Sequence, residues 1–127
     1  MIFVDTNFFI RFLLADISLQ YKKAKQLFNL GAEGKLELFT STVVIFEIYW
    51  VMLKFYGKTK PETVKILKKV LSLKFVYLAE REILQDALEI YEKTALELED
   101  YYNVIYANSN NVKEFKTFDR KLQRYLE

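Results

Sequence analysis

The sequence begins with MIFVDTN (residues 1–7), an apolar run that reaches a carboxylate at Asp5. A short, partly β-branched apolar run that is followed by turn-forming polar residues predicts a buried strand. Asp5 then stands at the carboxyl end of this strand. In open α/β sheets, ligands bind along that edge. The opening stretch therefore predicts an α/β fold and a functional carboxylate.

Strand-like and helix-like patterns alternate along the rest of the chain. The patterns predict helices over residues 8–15, 19–30, 42–56, 61–73, 81–95, 100–108 and 119–126, with further strands over 36–40, 75–78 and 115–118. Thr6 or Asn7 is predicted to cap the first helix, Ser18 the second and Ser41 or Thr42 the third, while Gly31 and Gly34 are predicted to end the second. Such alternation implies a three-layer α/β/α domain over residues 1–127, with a mostly parallel central sheet of about four strands.

Neither cysteine nor histidine occurs among the 127 residues. Their absence excludes disulfides, thiolate nucleophiles, Cys/His zinc sites and the usual general base. The carboxylates that remain suit hard cations such as Mg²⁺ or Mn²⁺. The formal net charge of +2 is too small to indicate nucleic-acid binding, so any such binding needs a local basic patch.

The longest apolar stretches, residues 8–15 and 43–53, are each interrupted by a charged residue and are too short to span a bilayer. No basic leader precedes the apolar residues that begin at Ile2. We therefore expect a cytoplasmic protein without a membrane segment.

Four acids stand out along the chain. Glu47 is the only charged side chain between residues 42 and 53, and burial of an unpaired carboxylate is costly. Asp100 opens a predicted helix, and Asp119 follows the predicted fourth strand. Each acid has an ordinary explanation. Asp5 and Asp119 could cap helices, Asp100 could be a surface residue at a helix N-terminus, and Glu47 could be a rim residue that reaches water or pairs with a lysine. If the four, including Asp5, converge on one sheet edge, divalent cations would be needed to neutralise them, and one or two Mg²⁺ or Mn²⁺ ions could hold a phosphodiester and activate water.

At these positions the sequence resembles the PIN-domain family, the small Mg²⁺- or Mn²⁺-dependent ribonucleases that include VapC-type toxins. The resemblance covers nearly the whole chain. Four ordered segments carry it, namely Val4-Asp5-Thr6-Asn7, Ser41 to Leu53 with Glu47, Glu97-Leu98-Glu99-Asp100, and Thr117-Phe118-Asp119. The resemblance implies that Asp5, Glu47, Asp100 and Asp119 are the catalytic, metal-binding acids. It also implies that Thr6 and Asn7 orient the first acid and that Thr117 supports the last.

Binding of RNA requires cations near the acids, because phosphate contacts supply most of the non-specific affinity. Candidates that lie near the motifs in sequence are Arg11, Arg120, Lys121 and Arg124, although a solvated helix face is the more common explanation for any one of them. Tyr101 and Tyr102 are candidates for substrate contact. The resemblance further implies a homodimer and a small antitoxin protein that binds in the active-site groove.

Three functions stay open. The first is a metal-dependent endoribonuclease, and the second is a PIN-like module that binds RNA or a protein without cleavage. The third is a phosphoaspartate enzyme or receiver-like module with Asp5 as the acceptor. A haloacid-dehalogenase-like site would need a second acid where Asn7 stands. A receiver would need an acid at the end of strand three, where Leu78 and Ala79 stand beside Glu80.

Overall fold

A parallel sheet of three short strands and seven α-helices make up the fold, with one π-helical turn after the third helix. The computed structural model describes all 127 residues. In chain order the elements are β1 (Ile2–Phe3), α1 (Thr6–Leu14), α2 (Ser18–Ala32), β2 (Leu38–Phe39), α3 (Thr42–Trp50), the π-helical turn (Val51–Phe55), α4 (Lys60–Leu71), β3 (Val76–Tyr77), α5 (Arg81–Lys93), α6 (Leu98–Ser109) and α7 (Arg120–Leu126). The predicted α/β class and parallel sheet are confirmed.

The chain divides into two compact units, Met1–Glu80 and Arg81–Glu127, which we call the N-terminal unit and the C-terminal unit. The N-terminal unit holds the whole sheet with α1 to α4, and the C-terminal unit holds α5 to α7. A single domain over residues 1–127 stays a prediction. None of the helices combines the length and apolar character that a membrane-spanning segment requires.

The sheet has the strand order β1-β2-β3, and both neighbouring pairs are parallel. Backbone pairing continues past the strands, because Val4 N donates to the carbonyl of Phe39 at 2.8 Å and Thr40 N donates to that of Tyr77 at 3.0 Å. The buried Thr40 hydroxyl donates to the Val4 carbonyl at 2.8 Å. The chain is therefore fixed directly before Asp5.

Packing of α1 and α2 in the N-terminal unit centres on Phe28. Its ring centroid lies 4.9 Å from that of Phe12, 5.4 Å from that of Phe9 and 6.2 Å from that of Phe75. Rings at such separations bury a large apolar area and gain additional energy from tilted or edge-to-face contact. Phe28 therefore joins α2 to α1 and to the segment that leads into β3.

Gly31 allows α2 to approach the sheet closely. A Cβ atom at this position would lie only 2.6 Å from Cδ1 of Leu38 in β2. The prediction that Gly31 ends the helix is wrong, since α2 continues to Ala32 and Gly31 is buried within it. Gly34 lies beyond the end of the helix, with a φ of +77° that favours glycine.

The fourth predicted strand, over residues 115–118, does not form, so the sheet has three strands rather than about four. The segment has two polar residues, Lys116 and Thr117, between its two phenylalanines, and Phe118 is fully exposed. Lys116 is paired with Glu114 at 2.7 Å, and both side chains are exposed. The segment therefore has no apolar face to bury, which a strand within a sheet requires.

Two predicted helix caps are also wrong. Asp5, rather than Thr6 or Asn7, is the N-cap of α1, and its side chain accepts a hydrogen bond from Thr6 N. The second helix begins at Ser18 itself, so Ile17 occupies the N-cap position without a side-chain hydrogen bond. The third prediction is confirmed, because Ser41 caps α3 and accepts a hydrogen bond from Val44 N at 3.4 Å.

Candidate active site

Asp5 lies at the junction of β1 and α1. Its extended backbone, with φ −87° and ψ 169°, ends the strand, and its Oδ1 accepts a hydrogen bond from Thr6 N at 2.8 Å. The carboxylate is solvent-exposed and forms no ion pair with a lysine or arginine. The cap therefore holds one oxygen and leaves the other available to a ligand.

A buried hydroxyl joins Asp5 to Glu47. Thr6 is 5% exposed, and its Oγ1 donates to Oε2 of Glu47 at 2.8 Å while it lies 3.5 Å from Oδ1 of Asp5. The two acids are 42 positions apart in sequence but are both within reach of one hydroxyl. Glu47 also has no cationic partner. The N-terminal unit therefore contains a pair of uncompensated carboxylates.

The position of Glu47 follows from how α3 is buried. Its neighbours Ile45, Ile48 and Tyr49 are each no more than 1% exposed, whereas Glu47, Val43 and Trp50 lie on the exposed side of the helix. The single charge in this apolar helix is therefore at the protein surface and escapes the cost of burial.

The C-terminal unit contains a second pair of acids. Asp100 lies in the first turn of α6, where its Oδ2 accepts a hydrogen bond from Glu97 N at 3.2 Å. Asp119 is the N-cap of α7, with Oδ1 accepting from Leu122 N at 3.0 Å. Thr117 Oγ1 accepts a hydrogen bond from Asp119 N at 3.1 Å.

Partial burial raises the pKa of Asp100 above its ordinary value of 3.8. The hydrogen bond from Glu97 N opposes this rise, while the negative charges of Asp119, Glu99 and Glu97 add to it. Asp100 and Asp119 are therefore near enough to repel each other. Neither forms an ion pair with a lysine or arginine.

The four acids offer the type of ligand that a hard divalent cation prefers. All are carboxylates, and Mg²⁺ and Mn²⁺ prefer oxygen ligands. Within either unit, no group of three or more acids is arranged to hold a metal ion. The N-terminal unit contains Asp5 and Glu47, and the C-terminal unit contains Asp100 and Asp119.

Glu80 is the acid near the end of β3. It accepts a hydrogen bond from the Thr42 hydroxyl at 2.5 Å.

The remaining side chains with predicted roles differ in their surroundings. Arg11 donates from Nη1 to both oxygens of Asp16 at 3.1 Å and to the Tyr56 hydroxyl at 3.2 Å, and the Tyr56 bond is the main cause of its raised pKa. Asn7 is exposed and makes no hydrogen bond to Asp5. The cations of α7 are exposed and form no ion pair, namely Arg120, Lys121 and Arg124.

The prediction that Tyr101 contacts substrate is wrong. Tyr101 is 1% exposed, its hydroxyl accepts a hydrogen bond from Leu96 N at 3.1 Å, and its ring packs edge-to-face against Tyr125. It belongs to the core of the C-terminal unit. Tyr102 is partly exposed and stacks on Tyr106 with ring centroids 5.7 Å apart.

Replacement of Asp100 by asparagine is expected to stabilise the chain at neutral pH without added metal. A carboxyl whose pKa is raised by folding stabilises the fold below its unfolded pKa, and this contribution is lost as the pH rises through the folded pKa. Asparagine has no such titration, and its side-chain oxygen can still accept the hydrogen bond from Glu97 N. Urea unfolding of both proteins in EDTA at pH 3 to 7 should show Asp100→Asn gaining relative stability as the pH rises. A gap that is constant with pH would contradict the expectation.

Comparison with known proteins assigns the chain to a family. The family model described as PIN domain matches residues 2–126 and so spans both units. No curated protein and no solved structure matches the chain significantly. The PIN domain is a nuclease-type fold, its nucleases generally use divalent metals, and a nucleic acid is the substrate that such a domain implies. The chain belongs to the PIN domain family.

Proposed function

We propose that this protein is a Mg²⁺- or Mn²⁺-dependent endoribonuclease that hydrolyses RNA phosphodiester bonds. The main support is the arrangement around Thr6, whose buried hydroxyl lies within 3.5 Å of both the Asp5 and the Glu47 carboxylates. Two neighbouring carboxylates without a cationic partner repel each other, and a bound cation relieves that repulsion.

In this proposal the metal ligands are Asp5, Glu47, Asp100 and Asp119. The supporting observations are that each unit holds two of these acids and that none forms an ion pair. Each of the four acids lies in one of the four segments that resemble the family, and the segments occur in the same order in the chain. When bound, the ion supplies positive charge beside the scissile phosphate and lowers the pKa of the attacking water.

The protein's own residues hold these ligands in place. Thr6 fixes Asp5 through its backbone N–H and Glu47 through its hydroxyl, so that one residue orients both carboxylates. Asp119 is fixed on both sides, because its N–H donates to Thr117 Oγ1 and its carboxylate accepts from Leu122 N. Such positioned carboxylates need no rearrangement when the substrate arrives.

Replacement of Thr6 by valine is expected to lower RNA cleavage by about 10–100-fold, the usual cost of losing a group that orients a metal ligand. Valine keeps the shape of threonine but removes the donor to Glu47 Oε2, whereas Thr6→Ser keeps the hydroxyl and should restore most of the activity. The decisive measurement is the affinity for Mn²⁺, which should fall in Thr6→Val and recover in Thr6→Ser. Equal Mn²⁺ affinity in all three proteins would contradict the orienting role.

The direct test of the function is cleavage of a mixed RNA pool with Mg²⁺, with Mn²⁺ and with EDTA. The proposal requires cleavage with at least one metal and none with EDTA. A protein that binds RNA without any cleavage would instead be a non-catalytic RNA-binding member of the fold. Cleavage that persists in EDTA would point to a contaminating nuclease.

We further propose that the protein is the toxin of a toxin–antitoxin pair, that it forms a homodimer and that a small antitoxin protein binds it. The support is the resemblance of the four acidic segments to VapC-type toxins. A short reading frame next to the gene, whose product binds the chain and suppresses cleavage, is the expected result. Light scattering of the purified chain should give twice the mass of the 127-residue chain.

A further inference from the structure

A cavity of about 300 Å³ lies in the N-terminal unit beside the residues that follow Asp5. Its walls come from two helices, with Asn7, Phe8 and Arg11 on α1 and Gln20 and Lys23 on α2. Asn7 is two positions from Asp5 in sequence, so the cavity wall begins shortly after one of the candidate metal ligands.

Three of the side chains around the cavity have no partner within the protein. Asn7, Gln20 and Lys23 are exposed, and none forms a hydrogen bond or an ion pair. Two amides and one ammonium group therefore line the same concave surface with their hydrogen-bonding capacity unused. Amides can pair with the edges of a base, and an ammonium group can contact a phosphate.

Arg11 adds a second cation that is held in a fixed position. Its Nη1 is bonded to Asp16 and to the hydroxyl of Tyr56, the first residue after the π-helical turn. Its Nη2 has no hydrogen-bond partner in the protein. Because the hydrogen bonds of Nη1 already fix the guanidinium, little side-chain entropy is lost when Nη2 binds a phosphate.

Phe8 supplies an exposed aromatic surface. The side chain is 40% exposed and lines both this cavity and a neighbouring cavity bordered by Ile2, Phe3 and Leu27. An exposed ring between two concave surfaces offers a face on which a base can stack, and such stacking tolerates any base.

We propose that this cavity binds one nucleotide of the single-stranded RNA substrate, with its base stacked on Phe8 and its phosphate contacted by Arg11 and Lys23. Asn7 and Gln20 contact the edge of the base. The assignment rests on the proposed ribonuclease function for the identity of the ligand. An acidic peptide would pair with the two cations, but its carboxylates would make no stacking contact with the Phe8 ring and would not need the two amides.

Binding of a fluorescein-labelled single-stranded RNA pool, followed by anisotropy in EDTA over a range of salt concentrations, tests the assignment without cleavage. Phe8→Ala should weaken binding about tenfold without changing the salt dependence, because stacking is not electrostatic. Phe8→Tyr keeps an aromatic ring and should bind as the wild type does. Lys23→Ala should lower the slope of log affinity against log salt by about 0.7, the value of one lost phosphate contact. Lys22→Ala is the matched control, since Lys22 precedes Lys23 on α2 but does not line this cavity.

The outcomes separate this proposal from the proposed function. Binding that responds to Phe8 and Lys23 in a protein that never cleaves RNA would keep the nucleotide site and overturn the ribonuclease. Cleavage by the wild type together with unchanged binding in Phe8→Ala would overturn the nucleotide site alone. A salt effect of Lys23→Ala without any effect of Phe8→Ala would show a phosphate contact without a stacked base, and it would overturn the nucleotide site. The absence of RNA binding by the wild type would also overturn the assignment.

Discussion

Replacement of Asp5 by asparagine is expected to reduce metal-dependent RNA cleavage by about 10²–10³-fold, the usual loss when one group that stabilises transition-state charge is removed. Asparagine keeps a side-chain oxygen that can accept the hydrogen bond from Thr6 N, and it is as good an N-cap as aspartate. The substitution therefore removes the negative charge while it leaves the start of α1 intact. Initial rates of cleavage at saturating Mn²⁺, together with a urea unfolding curve, measure the two effects separately.

The matched control is Asp86→Asn, the same chemical change at an exposed position on α5. This variant should cleave RNA at the wild-type rate and unfold at the wild-type urea concentration. If Asp5→Asn cleaves RNA as fast as Asp86→Asn, Asp5 does not act in the reaction. If Asp5→Asn instead loses its stability, the loss of cleavage would reflect unfolding, and the role of the charge would have to be read from Glu47→Gln.

Local sequence signals were enough to predict the N-terminal unit in outline. An apolar run that ends in a carboxylate correctly predicted a strand that ends shortly before Asp5. The prediction that this strand is buried is wrong, because Ile2 and Phe3 of β1 are both exposed. The predicted helix over residues 61–73 corresponds to α4, and its first turn contains Pro61, which lacks the N–H that this position does not need. These features depend on neighbouring residues only, so the pattern alone contains them.

Contacts between residues far apart in sequence could not be predicted in the same way. The bridge from Thr6 to Glu47 joins positions 41 residues apart, and the bond from Arg11 to Tyr56 joins positions 45 residues apart. The second bond follows a π-helical turn, and the sequence of that turn resembles ordinary α-helix. The sequence identified both Arg11 and Glu47 as candidates, but it contained no signal for their partners.

The predicted fourth strand is wrong for a different reason, because a local sequence pattern suggested an element that does not form in the structure. Phe115 and Phe118 gave residues 115–118 some strand character, but two apolar residues separated by polar ones cannot supply a continuous buried face. Asp119 nevertheless occupies a defined position, because it caps α7 rather than ending a strand. The identity of the acid was therefore predictable from the sequence, whereas the element that holds it was not.

Truncation of Phe28 to alanine is expected to lower the free energy of unfolding by about 3–5 kcal/mol, the usual cost of deleting a buried aromatic ring. Phe28 is 2% exposed and contacts the rings of Phe9, Phe12 and Phe75. The free energy of unfolding of a small domain is only about 5–15 kcal/mol. The Phe28→Ala substitution therefore removes a large part of it, and the unfolded fraction of the variant should rise at physiological temperature. Urea unfolding followed by circular dichroism gives the change directly, and the slope of the transition should stay as in the wild type.

Phe55→Ala provides the control, because Phe55 is 79% exposed at the end of the π-helical turn. Its loss should change the free energy of unfolding by no more than about 0.5 kcal/mol. The free energy of unfolding of Phe28→Leu should lie between those of Phe28→Ala and Phe55→Ala, since leucine refills part of the space that the ring occupied. Because α1 and α2 carry Thr6 and both walls of the nucleotide cavity, RNA cleavage by Phe28→Ala should decline at a lower temperature than cleavage by Phe55→Ala. Equal stability of the Phe28→Ala and Phe55→Ala proteins would show that the packing around Phe28 does not hold these helices together.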